Sequence, residues 1–309
     1  MSEVFNSANA YNKRLFGGRV QKIPLDAGFS CPNRDGTLSN DGCIYCCNKS
    51  FSPFYTGNGQ SITAQLLAGI EFFGRRYNCQ RFLAYFQSFS GTYAPPEILR
   101  ARYEEALAVN GIEGLVIATR PDCLDATTVD LLSELARRVN LRVELGVESF
   151  DDRVLRVINR CHDSHAIFQA VELLRQAGIE TCIHLIFGLP YEDERCVEES
   201  ARLVSESGAS LVKLHHLQVI AGTRLAAMLE RGEIDVRLHS VDSFLEVAVR
   251  FITHLSPVLF VERFINRVPE PFLVAPRWGG ITGSEFESRL QKKLVSQGLF
   301  QGSNSGILR

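Results

Sequence analysis

The residues with the most chemical potential stand close together. Residues 31–47 read CPNRDGTLSNDGCIYCC and hold four of the nine cysteines of the chain. Cys43 and Cys46, spaced C-x-x-C, can reach one metal centre. Cys31 can join them across a loop whose Asp35-Gly36 and Asp41-Gly42 pairs supply turns. Three thiolates suit a zinc site, which takes four ligands when structural, or an iron–sulfur cluster; incidental thiols are the third reading. Zinc needs a fourth ligand. Cys47 is the nearest, but the side chains of adjacent residues diverge, and the chain has no second C-x-x-C and no H-x-x-x-H. A four-iron cluster on three thiolates leaves one iron open for a substrate or cofactor. Cys79, Cys123, Cys161, Cys182 and Cys196 are scattered and read as small structural residues.

Composition narrows the setting. A chain of 309 residues with near-average apolar and charged fractions can bury a full core. A net charge of -2 points to no special partner, although a local basic face is compatible with it. The N-terminus lacks a charged head followed by an apolar run, and no uncharged apolar run is long enough to span a bilayer. The expected location is the cytoplasm, with no membrane partner. Thiols stay reduced there, so the cysteines are ligands, nucleophiles or buried small residues rather than a disulfide framework.

The elements that must position this loop alternate along the chain. Strands are expected at 19–25, 81–87, 114–119, 141–147, 180–188 and 210–219. Helices are expected at 61–77 with Ser61 as N-cap, from Pro95-Pro96 to about Ala108, and at 124–139, 164–177 and 192–207. Most of the strands read as apolar on both faces, the mark of a parallel sheet covered by helices. Six units fall short of the eight of a closed barrel. The expected fold is α/β, a partial (β/α)6 TIM-like barrel with a small C-terminal appendage. Loops at the C-terminal strand ends should carry the chemistry, and the cysteine loop follows the first strand. From about residue 235 the pattern changes to a helix (238–255), a strand (258–264), a Pro-rich loop and a last helix (284–297). The expected division is a core at 15–235 and an α/β extension at 236–309, with QGSNSGILR frayed at the end.

Taken together, GFSCPNRDG with GCIYC, YFQSFSGTYAP, ATRPDCL, ELGVESFDDRVLRVINRCH, HLIFGLPYE and KLHHLQVIAGTRLA resemble the radical S-adenosylmethionine (SAM) enzymes. Within them the chain is most similar to the YhcC/YtqA-type proteins, relatives of the Elongator catalytic subunit and of oxygen-independent coproporphyrinogen dehydrogenase. The likeness runs from about residue 10 to about 295. The long first cysteine spacing is typical of that branch. The resemblance implies that Cys31, Cys43 and Cys46 hold a [4Fe-4S] cluster whose open iron binds SAM. It further implies reductive cleavage of SAM to a 5'-deoxyadenosyl radical that abstracts hydrogen, and a one-electron reductant of the flavodoxin or ferredoxin type.

Further residues follow from the matched motifs. Tyr45 would set its ring against adenine, Glu148 would meet the SAM ribose, and Arg160 would fork onto the SAM carboxylate. His184 stands where a relative has an acidic ribose contact, and Phe187 and Gly188 would lie beside adenine. The family often carries Gly-Gly-Glu after the second strand; here Tyr85 and Gln87 are the substitutes for holding the amino group. The family's asparagine after the third ligand is displaced by Cys47, with Asn48 next. Thr119, Arg120 and Asp122 are candidates for substrate contact. Lys213 and His215 are the candidate catalytic groups, sharing one face of the sixth strand with Leu217, while Gln218 points the other way. Two substrate classes suit the resemblance: tRNA, with wobble uridine as the target, or a small metabolite such as a tetrapyrrole. A non-catalytic zinc-binding module is the reading from another class. Arg263, Arg267, Arg277, Arg289, Lys292 and Lys293 are positions that could meet phosphates.

Overall fold

A computed structural model describes residues 4–56, 59–77, 79 and 81–306. The chain begins with α1 (Ala8–Leu15) and β1 (Val20–Leu25), and after the cysteine loop comes α2 (Ile62–Tyr77). There follow β2 (Arg81–Phe86), α3 (Pro96–Leu107), β3 (Ile112–Thr119), α4 (Ala126–Ala136) and β4 (Asn140–Glu148). Two helices, α5 (Asp152–Val157) and α6 (Ser164–Gln176), precede β5 (Glu180–Phe187) and α7 (Cys196–Ser207). The remainder is β6 (Leu211–His216), β7 (Val219–Ile220), α8 (Arg224–Glu230), α9 (Val241–His254), β8 (Phe260–Arg263), β9 (Leu273–Ala275) and α10 (Gly283–Ser296).

Seven strands form one parallel sheet in the order β1-β2-β3-β4-β5-β6-β8. Six of them are the expected repeat. The seventh is the strand of the C-terminal extension, which joins the sheet beside β6 and extends the half-barrel. Its outer edge is covered by the N-terminal segment, where Val261 N donates to Asn6 O at 2.8 Å; pairing an edge in this way removes a site for unwanted association.

The sheet curls because its two faces differ. Outward residues of β4 (Leu141, Val143, Leu145 and Val147) pack under the helices in the main apolar core. Inward residues of the same strand are Arg142, Glu144 and Glu148, so the expectation of strands apolar on both faces fails on the inner face. That face is layered along the barrel axis, as alternation along each strand requires. The lowest layer is apolar and is plugged by α1, with Phe16 against Leu83 and Val116, and Ala8 against Cys182 and Leu211. Above it lies a charged layer, and above that a cavity.

Local signals explain the element ends. Ser61, Asp125, Asp163 and Ser240 accept from backbone N–H groups in the first turns of α2, α4, α6 and α9. The 192–195 stretch is a turn, and α7 begins only at Cys196. The sixth strand stops at His216, and β7 pairs antiparallel with β9 instead. The C-terminal tail is not frayed over its described part: Gln301 is buried and its Nε2 donates to Ser256 O and Leu259 O. Residues 307–309 of that stretch lie outside the described residues.

Candidate functional site

The cavity at the C-terminal mouth of the half-barrel has a volume of about 250 Å³. Cys31, Cys43 and Cys46 line one side of it. Two residues of their own loop hold them in place. Asn33, fully buried, donates through Nδ2 to Asn159 O at 2.5 Å and approaches Cys43 Sγ at 3.5 Å. Arg34 donates through Nη2 to Cys46 O at 2.8 Å, and its charge faces Cys46, Cys31 and Cys43 together. Burial, with the neighbouring Cys43, pushes the Cys46 thiol up to about 11, so a metal must displace its proton on binding. Cys47 leans instead on the apolar group of Ile220, Val268 and Leu273, although it also borders the cavity. None of the nine cysteines forms a disulfide. Among the described residues no three His, Cys, Asp or Glu side chains are grouped closely enough to hold one metal ion as the side chains stand.

Two arginines face the cysteines. Arg160, 6 % exposed, reaches Cys43 Sγ through Nη1 at 3.5 Å, bonds the Gly146 carbonyl through Nη2, and has no partner for its Nε. Arg120, 3 % exposed, is forked onto Asp122 at 2.8 and 2.7 Å and donates to Arg160 O at 2.7 Å, leaving Nη1 unpartnered. Buried guanidinium N–H groups without acceptors are costly unless a ligand supplies one. Gly146 makes this approach possible, since a Cβ there would stand 2.8 Å from Arg160 Nη2 and 2.9 Å from Glu148 Oε1. Glu148 sits 3.8 Å from Arg160 Nη2 with a φ of 67°; burial pushes its carboxyl up against the pull of Arg160. Left-handed φ values also occur at Phe89, Asn159 and Cys161 around the same mouth, the kind of backbone strain that concentrates at functional sites.

Beneath the cavity lies the charged layer. Glu144, fully buried, takes Lys22 and Lys213 at 2.5 Å each and Tyr85 Oη at 2.7 Å. Lys22 also reaches Glu262 at 2.5 Å. Burial alone would raise Glu144, but Lys213 and Lys22 hold it well below the ordinary carboxylate range. His184 Nε2 is 2.9 Å from Glu144 Oε2 but is not aligned for a hydrogen bond. Burial, with Lys213, pushes His184 down to about 4, so it is neutral near pH 7.

Of the residues singled out from the sequence, Tyr45, Tyr85, Gln87, Thr119, Arg120, Glu148, Arg160, His184, His215 and Gln218 line the cavity with the three cysteines. Five placements differ from expectation. The Phe187 ring packs edge-on against Phe251 in the core. Asp122 serves Arg120. Lys213, 1 % exposed, is bound to Glu144 beneath the cavity, because a buried ammonium needs a carboxylate. Gln218 and His215 line the same cavity, since the strand ends before alternation could separate them. Cys161 is exposed, 3.0 Å from Asn33 Oδ1, rather than a core residue. Of the expected phosphate contacts, Arg277, Arg289 and Lys293 pair with Glu270, Glu285 and Glu246, and Arg263 lies inside the cavity wall. Sequence reasoning missed Asn33, Arg34 and Glu144. The first two stand within the cysteine loop itself, and Glu144 is a lone acid inside an apolar strand.

An open parallel barrel with a three-cysteine loop after its first strand, facing buried arginines across a polar cavity, is the architecture of enzymes that pair an iron–sulfur cluster with SAM. The model of the Radical SAM superfamily matches residues 36–204, and that of the Radical_SAM C-terminal domain matches 209–292. The chain belongs to the radical SAM superfamily. It is 33% identical over 298 residues to the uncharacterized protein YtqA of Bacillus subtilis, covering 96% of this chain and 92% of that protein. It is 36% identical over 269 residues to protein YhcC of Escherichia coli K12, covering 86% and 84%. A tRNA uridine(34) acetyltransferase of Methanocaldococcus jannaschii shares 30% identity over 122 residues, 38% of this chain and 22% of that protein. Among solved structures, the archaeal Methanocaldococcus infernus Elp3 with an N-terminal deletion aligns with a TM-score of 0.67 at 18% identity, covering 91% of this chain and 64% of that one. The chain is an enzyme whose family uses a [4Fe-4S] cluster and SAM. Among the described residues no helix is long and apolar enough to cross a membrane.

Proposed function

We propose that this radical SAM enzyme acts on tRNA, at a side chain carried by wobble uridine, from a cytoplasmic location. The observation that supports the target is the shared stretch with a tRNA uridine(34) acetyltransferase. A surface feature agrees with it. Phe54, 80% exposed, begins a ladder of edge-on and stacked rings through Phe72, Phe73 and Tyr77, with Arg76 over Phe72 and Tyr77 and Arg19 over Tyr77. Rings interleaved with guanidiniums are surfaces on which unpaired bases stack.

The residues present fit the cofactors, on the evidence of the orphaned guanidinium N–H groups and the thiol set. Cys31, Cys43 and Cys46 would hold the cluster. Asn33 and Arg160 aim N–H groups at Cys43 Sγ, and Arg34 adds a positive charge beside all three. The chemistry that cluster and SAM supply when bound is one-electron cleavage of the sulfonium and abstraction of a hydrogen atom from an unreactive C–H bond. Arg160, with Arg120 behind it, would take the carboxylate of SAM, and Glu148 a ribose hydroxyl. Tyr45 would lie along adenine, and Gln87 would meet the amino group. Thr119 and His215 face the remaining space and would contact the substrate. The half-barrel wall and the apolar side of the mouth exclude water from the reacting groups. A flavodoxin- or ferredoxin-type protein is the proposed electron donor.

The test is the nucleoside composition of tRNA from cells lacking the gene, together with tRNA binding across a salt series. A changed wobble nucleoside, and binding that weakens as salt rises, support the reading. Unchanged tRNA and no affinity at low salt sink it and leave a small metabolite as the substrate, which the cavity of about 250 Å³ also accommodates.

A further inference from the structure

The cavity has a second cationic pole, away from the cysteines, and we infer that this pole anchors a carboxylate of the substrate on Arg263. Arg263 lies on β8, the edge strand of the sheet, directly across from Lys213 in the β6–β8 register, and lines the cavity with His215, Gln218 and Asn266. Its Nε is buried without a hydrogen-bond partner. The carboxylates that could neutralise it are already engaged. Glu144 holds Lys22 and Lys213, Glu262 holds Lys22 and Arg142, and Glu180 holds Arg142. Two lysines against Glu144 and Glu262 cancel, and Arg142 against Glu180 cancels. Arg263 is left as one uncompensated positive charge on the floor of the site. Its charge is felt by Tyr85, His184 and His215, which places it among them. The two histidines are neutral, since burial lowers both, and they add polarity without adding charge.

A single guanidinium with amide neighbours matches a monoanion whose two oxygens accept in parallel. A polynucleotide backbone needs an open groove, whereas a carboxylate on a small group can enter a cavity of about 250 Å³. This pole is distinct from the cofactor end, where Arg120 follows β3 and Arg160 follows α5. The inference deepens the radical SAM reading: tethering the carboxylate decides which C–H bond of the substrate faces the cofactors.

The test uses the reconstituted, SAM-loaded protein, with butyrate and its neutral isostere butyramide as probes in ligand-observed NMR titrations. The wild type should prefer butyrate. Arg263→Gln should weaken butyrate about tenfold or more, and Arg263→Lys, which keeps the charge but loses the fork, by less. SAM affinity, measured by equilibrium dialysis, should change far less than butyrate affinity. A wild type that binds butyrate no better than butyramide overturns the proposal. So does an Arg263→Gln protein that loses SAM and butyrate affinity in equal proportion, because Arg263 then belongs to the cofactor end. Should Arg263→Gln fail to fold, the wild-type comparison and Arg263→Lys decide. Displacement of butyrate by tRNA places the carboxylate on a modified base, and retention places it on a free acid; both agree with the anchor. Failure of the wild type to release 5'-deoxyadenosine would sink the radical reading while leaving the carboxylate preference measurable on its own.

Discussion

Lys22 on the first strand and Glu262 on the last meet inside the half-barrel, Nζ to Oε1 at 2.5 Å, although 240 residues separate them in the chain. Lys22 also holds Glu144 on the middle strand at 2.5 Å, so it bridges the two carboxylates. The contact closes electrostatically a sheet whose edges do not hydrogen-bond to each other. Removing one member of a buried ionic group leaves its partners desolvated and unpaired, at about 3–5 kcal/mol. Glu144→Gln should therefore lower the unfolding free energy of the apoprotein by about that amount in urea titrations followed by Trp278 fluorescence. Adding Lys213→Met should restore much of the loss, since it removes one of the stranded ammonium groups. A loss under about 1 kcal/mol for Glu144→Gln would show that the layer contributes little.

Acid should destabilise the fold in two stages. Burial, with Lys213, depresses His184 to about 4, and burial, with His239, depresses His216 to about 3. Their unfolded values lie near 6.5. The stability they contribute is present above that pH and is lost as pH falls toward the folded values, at up to about 1.4 kcal/mol per pH unit for each group. Burial would raise Glu262, but Lys22 and Lys213 outweigh it and bring it down to about 2. Its contribution is lost only below about pH 4.5. His216 stacks on Trp278 at 3.7 Å and its Nδ1 has no partner, so His216→Phe keeps the stack and breaks no hydrogen bond at that atom. That variant should flatten the pH dependence between 6.5 and 5. Equal slopes for the two proteins there would contradict the assignment.

Cys31→Ala, Cys43→Ala and Cys46→Ala should each abolish the visible absorption of the reconstituted protein and its release of 5'-deoxyadenosine. Cys47→Ala should keep both, because its side chain leans on Ile220, Val268 and Leu273. Loss of the cluster in the Cys47 variant alone would move the third ligand from Cys46 to Cys47.

Gly146→Ala should weaken SAM without unfolding the protein. The added methyl group would meet the mobile end of Arg160 at 2.8 Å and of Glu148 at 2.9 Å rather than rigid backbone. The guanidinium must then shift by a few tenths of an ångström or more, which should cost about tenfold in SAM affinity by equilibrium dialysis while the melting temperature changes little. Unchanged affinity would mean that Arg160 does not meet SAM.

The Cys-x-x-C with Cys31 upstream, the alternation of apolar runs with helical periods, and the matched motifs were all legible in one dimension, because each depends on local spacing. The strand repeat showed a parallel half-barrel since buried strands and amphipathic helices carry different periods. The polar inner face was harder to see. Arg142 and Glu144 alternate with Leu141, Val143 and Leu145 in LRVELGV, yet nothing local says whether those charges face water or each other.

What the chain order alone determined is the chemistry available: three thiols within reach of one another, the order of the strands, and the loops that follow them. What only the folded structure decided is which charges are left over. Glu144 pairs with lysines contributed by β1 and β6, and Glu262 draws Lys22 across the barrel, so Lys213 is absorbed beneath the cavity and Arg263 is not. Pairing of buried charges depends on distances across the curled sheet, between residues far apart in sequence. Those distances exist only once the two edges of the sheet have been brought round to face each other.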